Sequence, residues 1–177
     1  MKRTIALALS ALMALALFAG CGSEPAAEET PSAEPEMTAD ERAALYADAI
    51  TAARDDESNE AYGVMKTGDE IGDMYYQVLG FTVEDVEAMA ISVSLINVQA
   101  YGVAVVMPAE GRAEAVEAGL QAFMENQQAS FQNYLADQYE IALSARLETL
   151  DDGTVVMVMC EGQDTVFDAI VSAIEAA

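Results

Sequence analysis

Two short stretches of this chain are apolar at every position: residues 103–107 (Val-Ala-Val-Val-Met) and 155–160 (Val-Val-Met-Val-Met-Cys). A strand with one face in water alternates apolar and polar residues, so a run without a polar face predicts a strand covered on both sides. Two such strands belong in the middle of a sheet, and the rest of the chain must cover both faces.

The neighbouring segments supply partners. Met89, Ile91, Val93 and Leu95 alternate with Ala90, Ser92 and Ser94, and Ile141, Leu143, Ala145 and Leu147 alternate with Ala142, Ser144, Arg146 and Glu148. Each pattern predicts a strand with one buried face. Asp151-Asp152-Gly153 marks a hairpin turn between residues 141–149 and 154–160, with the glycine supplying positive φ. Between the two strand pairs, Val116, Leu120, Phe123, Gln127, Phe131 and Tyr134 recur at intervals of three and four, which predicts a helix from about 110 to 137. A last helix over 164–176 carries Val166, Phe167, Ile170, Val171 and Ile174 on one face, with Asp164 as N-cap. The order ββαββα predicts an α+β fold: a four-stranded antiparallel sheet, 1-2-4-3, with both helices on one face.

Upstream, Thr38-Ala39-Asp40-Glu41 has the spacing of a capping box, opening a helix over 39–54 on which Leu45, Ala49, Ile50 and Ala53 share a side. Residues 55–60 read as a loop, and 69–79 as a second, weaker helix carrying Ile71, Met74, Tyr75 and Val78. This N-terminal helix pair is the favoured cover for the second sheet face. A second copy of the chain, giving a homodimer, is the alternative.

The first 21 residues set an address. Lys2 and Arg3 precede an apolar run from Ile5 to Leu17, followed by Phe18-Ala19-Gly20-Cys21. About 15 Ala- and Leu-rich residues are short for a membrane span of roughly 20, whereas small residues before a cysteine suit cleavage and lipidation. The expected organisation is a lipoprotein signal peptide over 1–20, lipidated Cys21 with an acidic tether over 21–37, and a single domain over 38–177. Three prolines and five glutamates in residues 22–37 predict a disordered tether, extending to at most about 50 Å. Two chains of a diacylglycerol suffice for stable anchoring at the extracytoplasmic face of the cell membrane.

Removal of the signal leaves five basic residues, Arg42, Arg54, Lys66, Arg112 and Arg146, against all 31 acidic ones, so the mature net charge is five minus thirty-one, or −26. Basic residues so few and so scattered argue against nucleic-acid binding. With no histidine in the chain, Ser-His-Asp and Cys-His nucleophiles and histidine-ligated zinc are excluded by inventory. With Cys21 lipidated, Cys160 has no intrachain disulfide partner and reads as a small core residue.

Residues 128–139 (Gln-Ala-Ser-Phe-Gln-Asn-Tyr-Leu-Ala-Asp-Gln-Tyr), preceded by Leu95-Ile96-Asn97-Val98 and followed by a hairpin, resemble the aromatic helix end of a family of uncharacterised bacterial lipoproteins. That family is a domain of unknown function frequent in anaerobic Gram-positive bacteria, and the resemblance covers about residues 38–177. It implies an exported location and a shared fold, and it brings no assigned activity.

No catalytic constellation stands out. Lys66-Thr67-Gly68 matches one motif of penicillin-binding enzymes, but the Ser-x-x-Lys and Ser-Asp-Asn partners are absent, so a turn is the better reading. The acidic groups Asp55, Asp56, Glu57 and Glu60, then Asp69, Glu70 and Asp73, then Glu84, Asp85 and Glu87 could contribute oxygens to Ca2+. None has EF-hand spacing, so they read as solvated surface and neither a metal nor another cofactor is expected. Gln128, Gln132 and Tyr139 combine apolar area with hydrogen-bonding groups and form the candidate binding surface, for an envelope protein or a glycan. A helix end locking onto the following strand is the plainer reading of the same run. A receptor serving a transporter usually has two lobes, for which this chain is short. The expectation is therefore a non-catalytic binding or scaffolding module, and the opposed reading is a carboxylate- or cation-dependent hydrolase acting on cell-envelope material.

Overall fold

The computed structural model of the protein describes residues 37–177; the expected signal peptide, Cys21 and the tether up to residue 36 lie outside the described residues. The elements run α1 (Ala39–Ala52), α2 (Asp56–Ala61), β1 (Met65–Lys66), α3 (Asp73–Leu79), a 3-10 turn (Val83–Asp85), β2 (Val86–Val93), β3 (Gly102–Pro108), α4 (Ala113–Phe131), α5 (Ala136–Leu143), β4 (Arg146–Thr149), β5 (Val155–Met159) and α6 (Gln163–Glu175). The sheet order is β1-β2-β3-β5-β4, every neighbouring pair antiparallel.

The four expected strands keep their expected order, and the two continuously apolar runs are the central pair β3 and β5. The sheet has five strands, however. Met65 and Lys66 pair with Ile91 and Ala90 at the edge of β2, and two residues are too few for period-2 alternation to reveal.

Both faces of the central strands are dry. Ala104 and Val106 of β3, with Val155, Met157 and Met159 of β5, join Met89, Ile91 and Val93 of β2 beneath α3, α4 and α5. Val103, Val105, Val156 and Val158 point the other way, beneath α1 and α6. Each fully buried valine of this kind is worth about 1.5–3 kcal/mol. The second face is thus covered from within the chain. The cover combines α1, the first helix of the expected N-terminal pair, with the C-terminal α6; α3, the second of that pair, packs on the opposite face. The expectation that α4 and α6 share a face is wrong, because β3–α4–α5–β4 crosses over β5 and fills one face completely. The last helix is left with the other.

Other differences have local causes. The alternation over 141–148 is split between α5 and β4: Leu135, Tyr139 and Ala142 follow a helical period against the core, and that period prevails until residue 143. The long helix ends at Phe131 instead of continuing to 137. Residues 55–60 are mostly helix, since the Asp55 side chain accepts the Ser58 amide at 2.8 Å and caps α2. The helix expected over 69–79 starts at Asp73, because Asp69 turns back to accept the Lys66 amide at 2.9 Å. Gly162 at φ 69°, and not Asp164, is the N-cap of α6. In β2, Ala88, Ala90 and Ser92 are as buried as the large residues between them. The pattern there is large against small, and the small face receives α1 through Ala43, Tyr46, Ala49 and Ile50.

The capping box at Thr38 and Glu41 forms as expected. At this end of α1, Arg42 pairs with Asp152 at 3.2 Å and Tyr46 shares a buried 2.6 Å hydrogen bond with Thr154, fixing the helix to the β4–β5 turn. The 14 residues of α1 then carry the chain about 21 Å to the opposite end of the sheet.

On the other face α3 and α4 touch backbone to backbone. A Cβ added at Gly119 would lie 2.7 Å from the Leu79 carbonyl oxygen and 2.8 Å from the Gly80 carbonyl carbon, and neither atom can move alone. Gly119→Ala is therefore expected to lower unfolding free energy by about 1–3 kcal/mol. Gly63→Ala, with open space around it, should stay within about 0.5 kcal/mol of the parent. Urea denaturation of the two variants checks this, and an unaffected Gly119→Ala would contradict the close approach.

Candidate functional site

The far end of α1 opens into a cleft of about 580 Å3, bounded by α2, the β2–β3 loop and the β5–α6 turn. Its centre is Arg54, just past the last turn of α1. The guanidinium is half-buried and held by three neutral acceptors, two of them far away along the chain. Nη1 donates to Ser92 Oγ at 2.7 Å and to Tyr101 Oη at 2.5 Å, and Nη2 donates to Asn59 Oδ1 at 2.7 Å.

Each acceptor is itself fixed. Ser92 lies in β2 with no exposed surface and donates to the Tyr62 carbonyl at 3.1 Å. Asn59 donates to the Thr51 carbonyl at 2.9 Å, tying α2 back onto α1. The rings of Tyr62 and Tyr101 stack with centroids 3.7 Å apart and planes 13° from parallel, and the Tyr62 hydroxyl bonds the Gln99 side chain. The result is a rigid aromatic and guanidinium wall with few rotamers left to freeze on binding.

Charge sets Arg54 apart. Arg42 pairs with Asp152, Arg112 with Asp85, and Arg146 with Glu148, Asp164 and Asp168. Among the described residues Arg54 has no carboxylate within salt-bridge distance, and its buried Nε has no hydrogen-bond partner. Asp55, Glu57 and Glu161 line the same cleft. The amide of Ser58 holds Asp55 below its ordinary carboxylate range. Cys160 also lines the cleft, and burial pushes its thiol up to about 11, with Arg54 opposing only in part. A protonated, buried thiol is a poor nucleophile.

A second depression of about 430 Å3 between α5 and the β5–α6 turn shares Cys160 and Glu161 with the first. The exposed apolar residues Leu95, Ile96, Val98 and Tyr134 lie at the same end of the sheet. The Tyr134 hydroxyl donates to the Asn97 carbonyl at 2.6 Å, so the helix end and this loop are joined.

The candidate binding residues fall beside this region. Gln128 donates its amide to the Ala142 carbonyl at 3.1 Å, Tyr139 is half-buried against the core beneath α4, and Gln132 is exposed at the end of α4. The three do not converge on one cavity. Lys66-Thr67-Gly68 forms the end of β1 and a turn, where the Thr67 hydroxyl accepts the Met89 amide at 2.8 Å. Among the described residues no three acidic or cysteine side chains gather to hold a metal ion.

The cleft residues were not legible as a set. Ser92 and Tyr101 stand 38 and 47 positions from Arg54, a separation with no local signature. The one available clue was an arginine placed at the end of an alanine-rich helix.

A family profile described as a domain of unknown function (DUF4358) matches residues 53–160, more than half the chain. The match spans α2 through β5 and includes Arg54, Tyr62, Ser92, Tyr101 and Cys160, while α1 and α6 lie outside it. No curated protein and no solved structure matches.

The thiol gives a direct check on the cleft. In the Cys21→Ala chain, where Cys160 is the sole thiol, alkylation by iodoacetamide at pH 8 should run roughly two orders of magnitude slower than for an unfolded control. The rate should climb as pH rises toward 11. A rate near that of the unfolded chain would mean that Cys160 is not buried as described.

Proposed function

The chain belongs to the DUF4358 family, and from that premise we propose that it is a lipid-anchored, extracytoplasmic protein whose domain binds a ligand or partner and does not catalyse. The anchor reading rests on residues 1–21: a basic start, a short apolar run, and small residues before Cys21. Export to the outer face of the cell membrane accords with a mature charge of −26 and with few basic residues for nucleic acid. Among the described residues no helix is long and apolar enough to cross a membrane; in this reading attachment is by the lipid on Cys21.

The observation that carries the binding reading is the Arg54 cleft. Its volume lies in the range of small-molecule sites, and its wall is fixed before any ligand arrives. The start of α1 lies at its other end, by the β4–β5 turn. A carboxylate hydrolase would want one carboxyl held protonated near neutral pH. In the cleft, the Ser58 amide shifts the Asp55 carboxyl the opposite way.

Two measurements test this. Metabolic labelling with a palmitate analogue should mark the protein in the membrane fraction, and Cys21→Ala should lose both label and membrane association. Native mass spectrometry of the protein released from its membrane should show an added mass that is lost in Arg54→Gln, with no product formed from envelope fragments. Turnover of such fragments that depends on Glu57 or Glu161 would establish the hydrolase instead.

A further inference from the structure

We infer that the Arg54 cleft takes a small zwitterion, an amino acid or short peptide with a free carboxylate and a free ammonium group; the inference rests on the binding reading above. Arg54 supplies the first half. A guanidinium has five N–H donors, and three are committed here, all to neutral acceptors. Neutral acceptors satisfy hydrogen bonds but leave the guanidinium without a direct carboxylate partner among the described residues, with Asp55 acting on it only through space, which is costly away from bulk water. With 31 acidic residues in the chain, pairing this arginine internally would have been easy. The three remaining arginines among the described residues are paired in this way. An arginine anchored by hydroxyl and amide groups at the wall of a preformed cleft is suited to an incoming carboxylate.

The remaining lining decides which anion. Asp55, Glu57 and Glu161 surround the one cation, so a phosphate or dicarboxylate would meet more repulsion than attraction. Asp55 is occupied in capping α2, whereas Glu57 and Glu161 are exposed and engage in no hydrogen bond or ion pair among the described residues. A ligand with its own positive group resolves the imbalance, placing carboxylate on Arg54 and ammonium on these glutamates. Tyr62, half-buried and backed by the stacked ring of the buried Tyr101, gives the body of the ligand an apolar, planar surface. A cleft of about 580 Å3 holds a single amino acid or a dipeptide with room for water.

The test uses the full lipidated chain in detergent. Isothermal titration calorimetry is run with each of the twenty common amino acids and with L-alanyl-L-alanine. For the tightest binder it is repeated with the C-terminal amide and the N-acetyl derivative. At least one zwitterion should bind, and masking either end should weaken it about tenfold or more. Arg54→Gln should abolish the preference for a free carboxylate. Because that change could disturb the fold, the surface double variant Glu57→Gln/Glu161→Gln provides an independent arm: it should stay folded and lose discrimination against the N-acetyl form. Masked and free ligands binding equally would overturn the inference, as would no probe binding at all. A different mass seen bound in native spectrometry would then leave the binding reading standing without the zwitterion. An empty protein in both experiments would remove both.

Discussion

Burial of β3 and β5 on both faces is the constraint from which the rest of the architecture follows. A strand of valine and methionine with no polar side cannot sit at the surface, so the chain must build two helical layers around one sheet. The β3-to-β4 crossover commits α4 and α5 to the first layer. The second is assembled from the two ends of the domain, α1 and α6, which meet only in the folded structure. Small residues make this second layer close: Ala88, Ala90 and Ser92 on β2 face Ala43 and Ala49 on α1. The same closeness brings the end of α1 within reach of Ser92 and Tyr101.

The cleft is a by-product of that packing. Where α1 stops, the sheet continues to Tyr101 and Cys160, and the space beyond is walled by α2 and the β5–α6 turn. Arg54 ties several of these parts together, bonding Ser92 in β2, Tyr101 just before β3 and Asn59 in α2 at once. Its charge is compensated by nothing within salt-bridge distance among the described residues. The binding reading and the ligand class proposed for it both begin from this arginine, the one among the described residues without an ion pair, in a strongly acidic chain.

The family match adds a boundary worth attention on physical grounds. It runs from Ala53 to Cys160, taking in the sheet, the first helical layer and the principal cleft residues, and leaving out nearly all of the second layer. The part it covers cannot be a complete fold in this chain, because Val103, Val105, Val156 and Val158 would then face water. Cover for that face comes from α1 and α6, elements whose requirement is a small apolar stripe and little else.

Particular residues show where the sequence was sufficient by itself. The continuous runs at 103–107 and 155–160, the Asp-Asp-Gly turn and the Thr38–Glu41 capping box determined the α+β class, the order of the four longer strands and the start of α1, because each depends on period or on contacts within four residues. Where two periods coexisted, as at 135–148, only tertiary contact selected helix up to Leu143 and strand from Arg146. The two-residue β1 and the split of α4 from α6 onto opposite faces were likewise decided by packing. So was the site: Arg54, Ser92 and Tyr101 are ordinary residues far apart along the chain. They become a guanidinium cradle only because α1 lies flat on the small face of β2, a long-range fit that no local pattern encodes.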